Sequence, residues 1–186
     1  IGVSFEWSGD TLHLDTSGPL KMEEINKKAC ERVRASLLLM GALAASTKTY
    51  KLYRSGGCKL GNRTVRPHLL ALQKLGIDIE TKPGFYAVTT KKLVGNKIVM
   101  FESGDTATEN VIMAAVLAPG KTTIKMASAN YMVQDLCYFL QASGAKISGI
   151  GTTTLEIEGV KKLTAPKSYA PMPDPVDAMA WISLAI

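Results

Sequence analysis

The chain repeats itself, and an internal repeat constrains a fold more than any single motif does. Leu69-Leu70-Ala71-Leu72-Gln73-Lys74-Leu75-Gly76-Ile77-Asp78-Ile79 resembles Leu136-Cys137-Tyr138-Phe139-Leu140-Gln141-Ala142-Ser143-Gly144-Ala145-Lys146-Ile147. Each reads as a helix stopped by a glycine and followed by an alternating strand. The two glycines lie 68 residues apart. A returning strand follows in each case, at 84–88 and at 154–158. Upstream of each copy the pattern predicts an apolar helix, at 35–45 and 110–118, and then a strand, at 49–53 and 122–126. The unit is helix–strand–helix–strand–strand, and the fold class is α/β (α+β), built from stacked copies of that unit.

The ends look like parts of further copies. Residues 2–5 and 11–15 resemble a closing hairpin, and residues 178–186 resemble an opening helix. The expected division is therefore the end of a first unit at 1–20, a second unit at 21–93, a third at 94–165, and a junction at 166–186. The chain reads as a piece of a longer protein, the alternative being a short natural chain with ragged ends.

Charge is unevenly spread along these units. Residues 1–93 hold 15 Lys and Arg against 8 Asp and Glu, whereas residues 94–186 hold 7 against 8. No acid occurs between Glu31 and Asp78, a stretch that carries Arg32, Arg34, Lys48, Lys51, Arg54, Lys59, Arg63, Arg66 and Lys74. An anionic partner or a solvated basic face would both account for it. Nucleic acid is disfavoured, because only Tyr50 and Tyr53 could stack on bases there. The 46% apolar and 20% charged composition is that of a core-forming chain, not a disordered one. Cys30, Cys58 and Cys137 are too few for a disulfide framework, and His13 and His68 are not spaced from them as zinc ligands. No apolar run is long enough for a membrane helix, and residues 1–6 carry no basic leader. The default expectation is a cytoplasmic protein without metal, cofactor or membrane partner.

Chemistry concentrates in Ser55-Gly56-Gly57-Cys58-Lys59-Leu60-Gly61-Asn62-Arg63, between a strand and a helix. Three glycines suit a loop that a ligand approaches closely. Lys59 and Arg63 favour the thiolate of Cys58, which can act as proton donor or nucleophile. An incidental loop thiol is the plainer alternative. Arg34 opens an apolar helix and can project toward an anion, or be a surface residue. Ser103-Gly104-Asp105-Thr106 stands at the matching junction of the next unit. Small residues there free backbone N–H groups for phosphate, although Asp105 or Thr106 as a plain helix cap is the commoner use. Cys30, Cys137, Trp7 and Trp181 read as packing residues.

Taken in order, Arg34-Ala35-Ser36, Gly56-Gly57-Cys58-x-x-Gly61-x-Arg63, Ala107-Thr108-Glu109-Asn110 with Met113-Ala114-Ala115-Val116-Leu117-Ala118, and Gly144-Ala145-Lys146-Ile147 resemble one known family. It is the N-terminal domain of the UDP-N-acetylglucosamine 1-carboxyvinyltransferases. The helix-strand repeats alone would also suit 3-phosphoshikimate 1-carboxyvinyltransferases. The resemblance implies an inside-out α/β barrel-like domain of enolpyruvyl transferase type, facing a second, C-terminal domain. It implies transfer of an enolpyruvyl group from phosphoenolpyruvate to the 3-hydroxyl of UDP-N-acetylglucosamine, in peptidoglycan precursor synthesis. Cys58 matches the loop cysteine that protonates the enolpyruvyl methylene carbon and is alkylated by fosfomycin. Arg63 and Arg34 match arginines that hold phosphoenolpyruvate. Arg63, Thr64, Val65, Arg66, Ser103, Gly104, Asp105 and Thr106 occupy the positions expected to bind substrate.

Several positions depart from the family pattern. Its Arg-Pro-Val-Asp, whose Asp helps recognise uracil, reads Arg63-Thr64-Val65-Arg66. Its diphosphate-cradling Ser-Val-Gly-Ala-Thr reads Gly104-Asp105-Thr106-Ala107-Thr108, and Asp105 would repel a diphosphate unless it points away. Its Arg-Glu-Pro-Glu reads Ala129-Asn130-Tyr131-Met132, and its Asp-Arg-Ile-Glu reads Asp174-Pro175-Val176-Asp177. A different acceptor, or a non-catalytic binding role, is the second reading. The resemblance assigns a Lys-Asn pair to an earlier unit and a catalytic Asp to the second domain, neither within these residues. The 186-residue chain alone is therefore expected to form no product. Phosphate release on mixing it with both substrates would refute this.

Overall fold

The computed structural model describes residues 1–56 and 64–185. Strands β1 (Ser4–Ser8) and β2 (Thr11–Asp15) form a hairpin paired only with itself. A first run of elements then begins with α1 (Lys27–Arg32), a 3₁₀ segment (Arg34–Leu38) and α2 (Leu39–Ala42). It continues through β3 (Thr49–Tyr53), α3 (Arg66–Lys74), β4 (Ile77–Lys82) and β5 (Phe85–Thr90). A second run comprises β6 (Lys97–Val99), α4 (Asp105–Ala115), β7 (Lys121–Lys125), α5 (Tyr131–Ala142), β8 (Lys146–Ser148) and β9 (Thr154–Glu158), and α6 (Pro175–Ala185) follows.

The two runs share a topology. The first sheet is ordered β3-β5-β4 and the second β6-β7-β9-β8, so β7-β9-β8 repeats the earlier order, with antiparallel pairing throughout. Strand β6 is the addition the repeat pattern did not suggest. It pairs parallel to β7 across α4, and only Ile98 of its three residues is buried, which is too little for a visible alternation. The glycine stops hold: Gly76 at φ +90° and Gly144 at φ +99° take the left-handed conformation after α3 and α5.

The expected helix over 35–45 is different. It is a 3₁₀ turn followed by a four-residue α2. The cause is a side chain from another element. Gly41 N–H donates to Asn110 Oδ1 at 2.7 Å, and Asn110 Nδ2 donates to the Leu37 carbonyl at 3.0 Å. Leu37 and Gly41 would be each other's partners in a regular α-helix, so the amide of Asn110 occupies that rung. A Cβ at position 41 would run into the Asn110 backbone carbonyl, so only glycine allows the approach. The helix expected at 110–118 begins earlier, at Asp105, and ends at Ala115.

One helix is largely buried. α4 is the central element, packing on α2, α3, α5 and the 3₁₀ segment. Eight of its 11 residues are buried, among them Val111, Ile112 and Ala115. Each strand of the larger pairs turns alternate residues to this core, such as Ile124, Leu155 and Ile157. The opposite faces carry charge, including Lys121–Glu156 at 3.1 Å and Lys146–Glu158 at 3.3 Å. Exposed pairs of this kind contribute about 0–1 kcal/mol each.

Cys30 and Cys137 are buried as expected, and burial raises both thiols above the usual range, Cys137 to about 11. Trp7 and Trp181 do not pack: they are 62% and 73% exposed. The reason is topological, since the β1–β2 hairpin pairs only with itself and α6 buries none of its residues. Glu109 is buried in α4, and burial together with Asp105 raises its carboxyl. Glu109→Gln should therefore raise the urea midpoint at pH 7 and lose that advantage as pH falls, measured by circular dichroism.

Candidate functional site

A cavity of about 520 Å³ opens where the two runs meet, at the start of the 3₁₀ segment and the N-termini of α3 and α4. Arg34 contributes its guanidinium, which also donates from Nη2 to the Thr64 carbonyl at 3.5 Å. Thr64 lines the cavity through the turn into α3, and its hydroxyl oxygen accepts the Arg66 N–H at 3.1 Å. That side-chain bond satisfies one free donor in the first turn of α3. Gly104, Asp105, Thr106 and Ala107 supply the opposite wall. Gly104 is the N-cap of α4 and offers no side-chain cap, so neither Asp105 nor Thr106 plays that part. The first N–H groups of α4 have no intrahelical acceptor by geometry and are available to an anion.

Both carboxylate oxygens of Asp105 on this wall are engaged by the loop before α5. Its Oδ1 accepts from the Ser128 hydroxyl at 2.5 Å, and its Oδ2 accepts from Asn130 Nδ2 at 3.0 Å. Ser128 N–H in turn donates to the Thr108 hydroxyl at 3.1 Å, and Thr108 donates to the Gly104 carbonyl at 2.8 Å. This clasp ties the start of α4 to the loop before α5. Asp105→Ala should destabilise the chain by about 1–2 kcal/mol, read as a lower urea midpoint, because it removes a charged acceptor from two donors.

Of the residues singled out from sequence, the structure brings Arg34, Thr64, Gly104, Asp105 and Thr106 around one cavity. Val65 is half-buried against the core. Arg66 turns to Phe101, with its guanidinium carbon 5.5 Å from the ring centroid. The Ser103 hydroxyl donates to the Ala127 carbonyl at 3.2 Å, toward β7. Cys58 and Arg63, with Lys59, lie outside the described residues. The segment that holds them joins Gly56, whose N–H donates to the Cys30 carbonyl at 3.2 Å, to Thr64 at the cavity.

Two cavity residues escaped the sequence reading, His68 and Glu102. His68 is 3% exposed and sits 2.8 Å, through Nδ1, from Asn110 Nδ2. Burial, and then the Arg34 guanidinium, push its pKa down to about 4. It is neutral at physiological pH. A histidine in the first turn of an apolar helix is the one signal that could have marked it. The cavity thus joins one guanidinium, one neutral imidazole, an exposed carboxylate on Glu102 and a set of backbone donors. Among the described residues no group of three His, Cys, Asp or Glu side chains is placed to hold a metal ion. Nor is any helix among them long and apolar enough to cross a membrane.

Comparison with known proteins agrees with this architecture. The family model described as EPSP synthase (3-phosphoshikimate 1-carboxyvinyltransferase) matches residues 2–186. The UDP-N-acetylglucosamine 1-carboxyvinyltransferase of Hydrogenovibrio crunogenus is 41% identical over 174 residues, covering 94% of this chain and 41% of that protein. The protein of the same name from Ruthia magnifica is 42% identical over 186 residues, covering 100% of this chain and 44% of that one. Among solved structures, the enolpyruvyl transferase NikO from Streptomyces tendae superposes with a TM-score of 0.79 at 21% identity, covering 97% of this chain and 43% of that one. EPSP synthase from Acinetobacter baumannii gives 0.61 at 18% identity, covering 89% and 38%. These two likenesses show the fold. The chain spans about two fifths of the length of the curated relatives it matches. With a buried central helix, a repeated strand order and a family match from residue 2 to residue 186, the chain belongs to the EPSP synthase family of enolpyruvyl transferases.

Proposed function

We propose that this chain serves the transfer of an enolpyruvyl group from phosphoenolpyruvate to the 3-hydroxyl of UDP-N-acetylglucosamine, with release of phosphate, as part of a cytoplasmic transferase whose second domain completes the site. The relatives that bear that enzyme's name support the reading. The observation that carries it is the convergence of Arg34, Thr64 and the uncapped N-terminus of α4 on one cavity, Thr64 being the residue that follows Arg63 in the chain. Arg34 and Arg63 would hold the phosphate and carboxylate of phosphoenolpyruvate, for which planar guanidinium groups are suited. Cys58 would deliver the proton to the methylene carbon. Gly104, Thr106 and the backbone donors of α4 would face the nucleotide sugar, with Asp105 held in its clasp with Ser128 and Asn130. Val65, Arg66 and Ser103 would frame that subsite.

Glu102 and Arg66 favour a second reading, a different acceptor. A carboxylate on the cavity wall repels a diphosphate, and Arg66 stands over Phe101. Labelling with fosfomycin or iodoacetamide, read by mass spectrometry, tests the first reading. Cys58 should be modified selectively, and faster when UDP-N-acetylglucosamine is present. Cys30 and Cys137 should stay inert, being buried with raised thiol pKa values. Equal, slow labelling of all three thiols would rule it out. Selective Cys58 labelling unaffected by the nucleotide sugar would favour the second reading.

A further inference from the structure

The amide of Asn110 makes three hydrogen bonds, and together they dictate the chemistry of His68. Gly41 N–H can only donate, and it lies 2.7 Å from the side-chain oxygen of Asn110. That contact orients the amide, so Nδ2 is the atom facing the Leu37 carbonyl at 3.0 Å and His68 Nδ1 at 2.8 Å. An amide nitrogen has two hydrogens and no acceptor capacity. Both hydrogens are spent, one on Leu37 and one on His68. His68 Nδ1 must therefore accept, and its single proton sits on Nε2. A protonated ring would set an N–H against the Asn110 N–H, beside the Arg34 charge. The ring lines the cavity, and among the described residues its Nε2 has no hydrogen-bond partner.

We propose that His68 is an uncharged hydrogen-bond donor, through Nε2, to an oxygen of the anionic ligand in this cavity, and that Asn110 is the positioning residue that locks it in that tautomer. This rests on the reading of the cavity as a substrate site. A neutral donor adds a directed bond beside Arg34 without a second positive charge, and it selects ligands that present an oxygen acceptor at that point. Arg34 is the charge that bears on the ring most directly, with Glu102 and Asp105 on the facing wall.

Long-range proton–nitrogen correlation spectra of the 186-residue chain, labelled with ¹⁵N-histidine and ¹⁵N-arginine, test the proposal. His68 should show a protonated Nε2 and a bare Nδ1, unchanged down to about pH 5. His13, on the exposed β2 strand, serves as internal reference. UDP-N-acetylglucosamine, added as probe, should shift His68 Nε2 and leave Nδ1 in place. Asn110→Asp still accepts from Gly41 but turns a second oxygen to Nδ1, so a proton should appear there at neutral pH. His68→Gln, which keeps an amide donor at the reach of Nε2, should hold probe affinity within about threefold, whereas His68→Leu should lose about tenfold. A bare Nε2 in the unmodified chain overturns the proposal. So does a probe that shifts the Arg34 side-chain signals and leaves Nε2 unmoved, with the substrate reading intact. A probe that shifts neither removes the substrate reading and the proposal together.

Discussion

Replacing Asn110 with alanine should lower the free energy of unfolding by about 3 kcal/mol, the largest effect expected from a single polar substitution in this chain. Its amide is fully buried and satisfies one donor and two acceptors from three other elements. Alanine would leave Gly41 N–H, the Leu37 carbonyl and His68 Nδ1 without partners in a site closed to water. Each such orphan costs about 1–3 kcal/mol. Partial recovery is open to only one pair, because Leu37 and Gly41 could close their own helical rung if the backbone shifts. Urea unfolding of Asn110→Ala should therefore show a lower midpoint with an unchanged slope. A loss below about 0.5 kcal/mol would mean that the rung closes freely and that Asn110 is not what splits the helix. Gly41→Ala should be comparably damaging by a different route, since its Cβ meets the Asn110 carbonyl.

The second large effect is an acid sensitivity centred on His68. Its folded-state pKa of about 4 lies below the unfolded value of 6.5. The unfolded chain thus binds the proton more readily, and stability is fully present above about pH 6.5. It is lost as pH falls toward 4 and is flat below that. A depression of this size corresponds to about 3 kcal/mol across the window. Glu109 acts in the opposite sense, because a raised carboxyl costs stability as pH climbs through its folded value. The His68 contribution is isolated by comparing the unmodified chain with His68→Gln in urea titrations at several pH values. The variant should lose the slope between pH 6.5 and 4. An equal slope in both proteins would place the acid sensitivity elsewhere.

What sequence determined here is mostly local. The glycine stops at Gly76 and Gly144 and the alternating strands beside them follow from spacings of a few residues. Such spacings dictate backbone conformation and which face is apolar wherever no neighbour supplies a competing partner. Arg34 and the 104–106 segment were legible for the same reason, since each stands at a helix start where backbone donors are free, whereas Thr64 was marked only by the family resemblance. What only the tertiary structure decided is how junctions from different units meet. Asn110 reaches Gly41 across 69 residues and His68 across 42, and no local pattern encodes either pairing. That pairing shortens a helix whose apolar spacing was sound, and it converts an ordinary helical histidine into an uncharged donor. Asp105 likewise has a charge that sequence records and a direction that only Ser128 and Asn130 impose. Helix and strand follow from the chain's own periodicity, whereas the protonation, orientation and partners of a buried polar group depend on what packing sets against it.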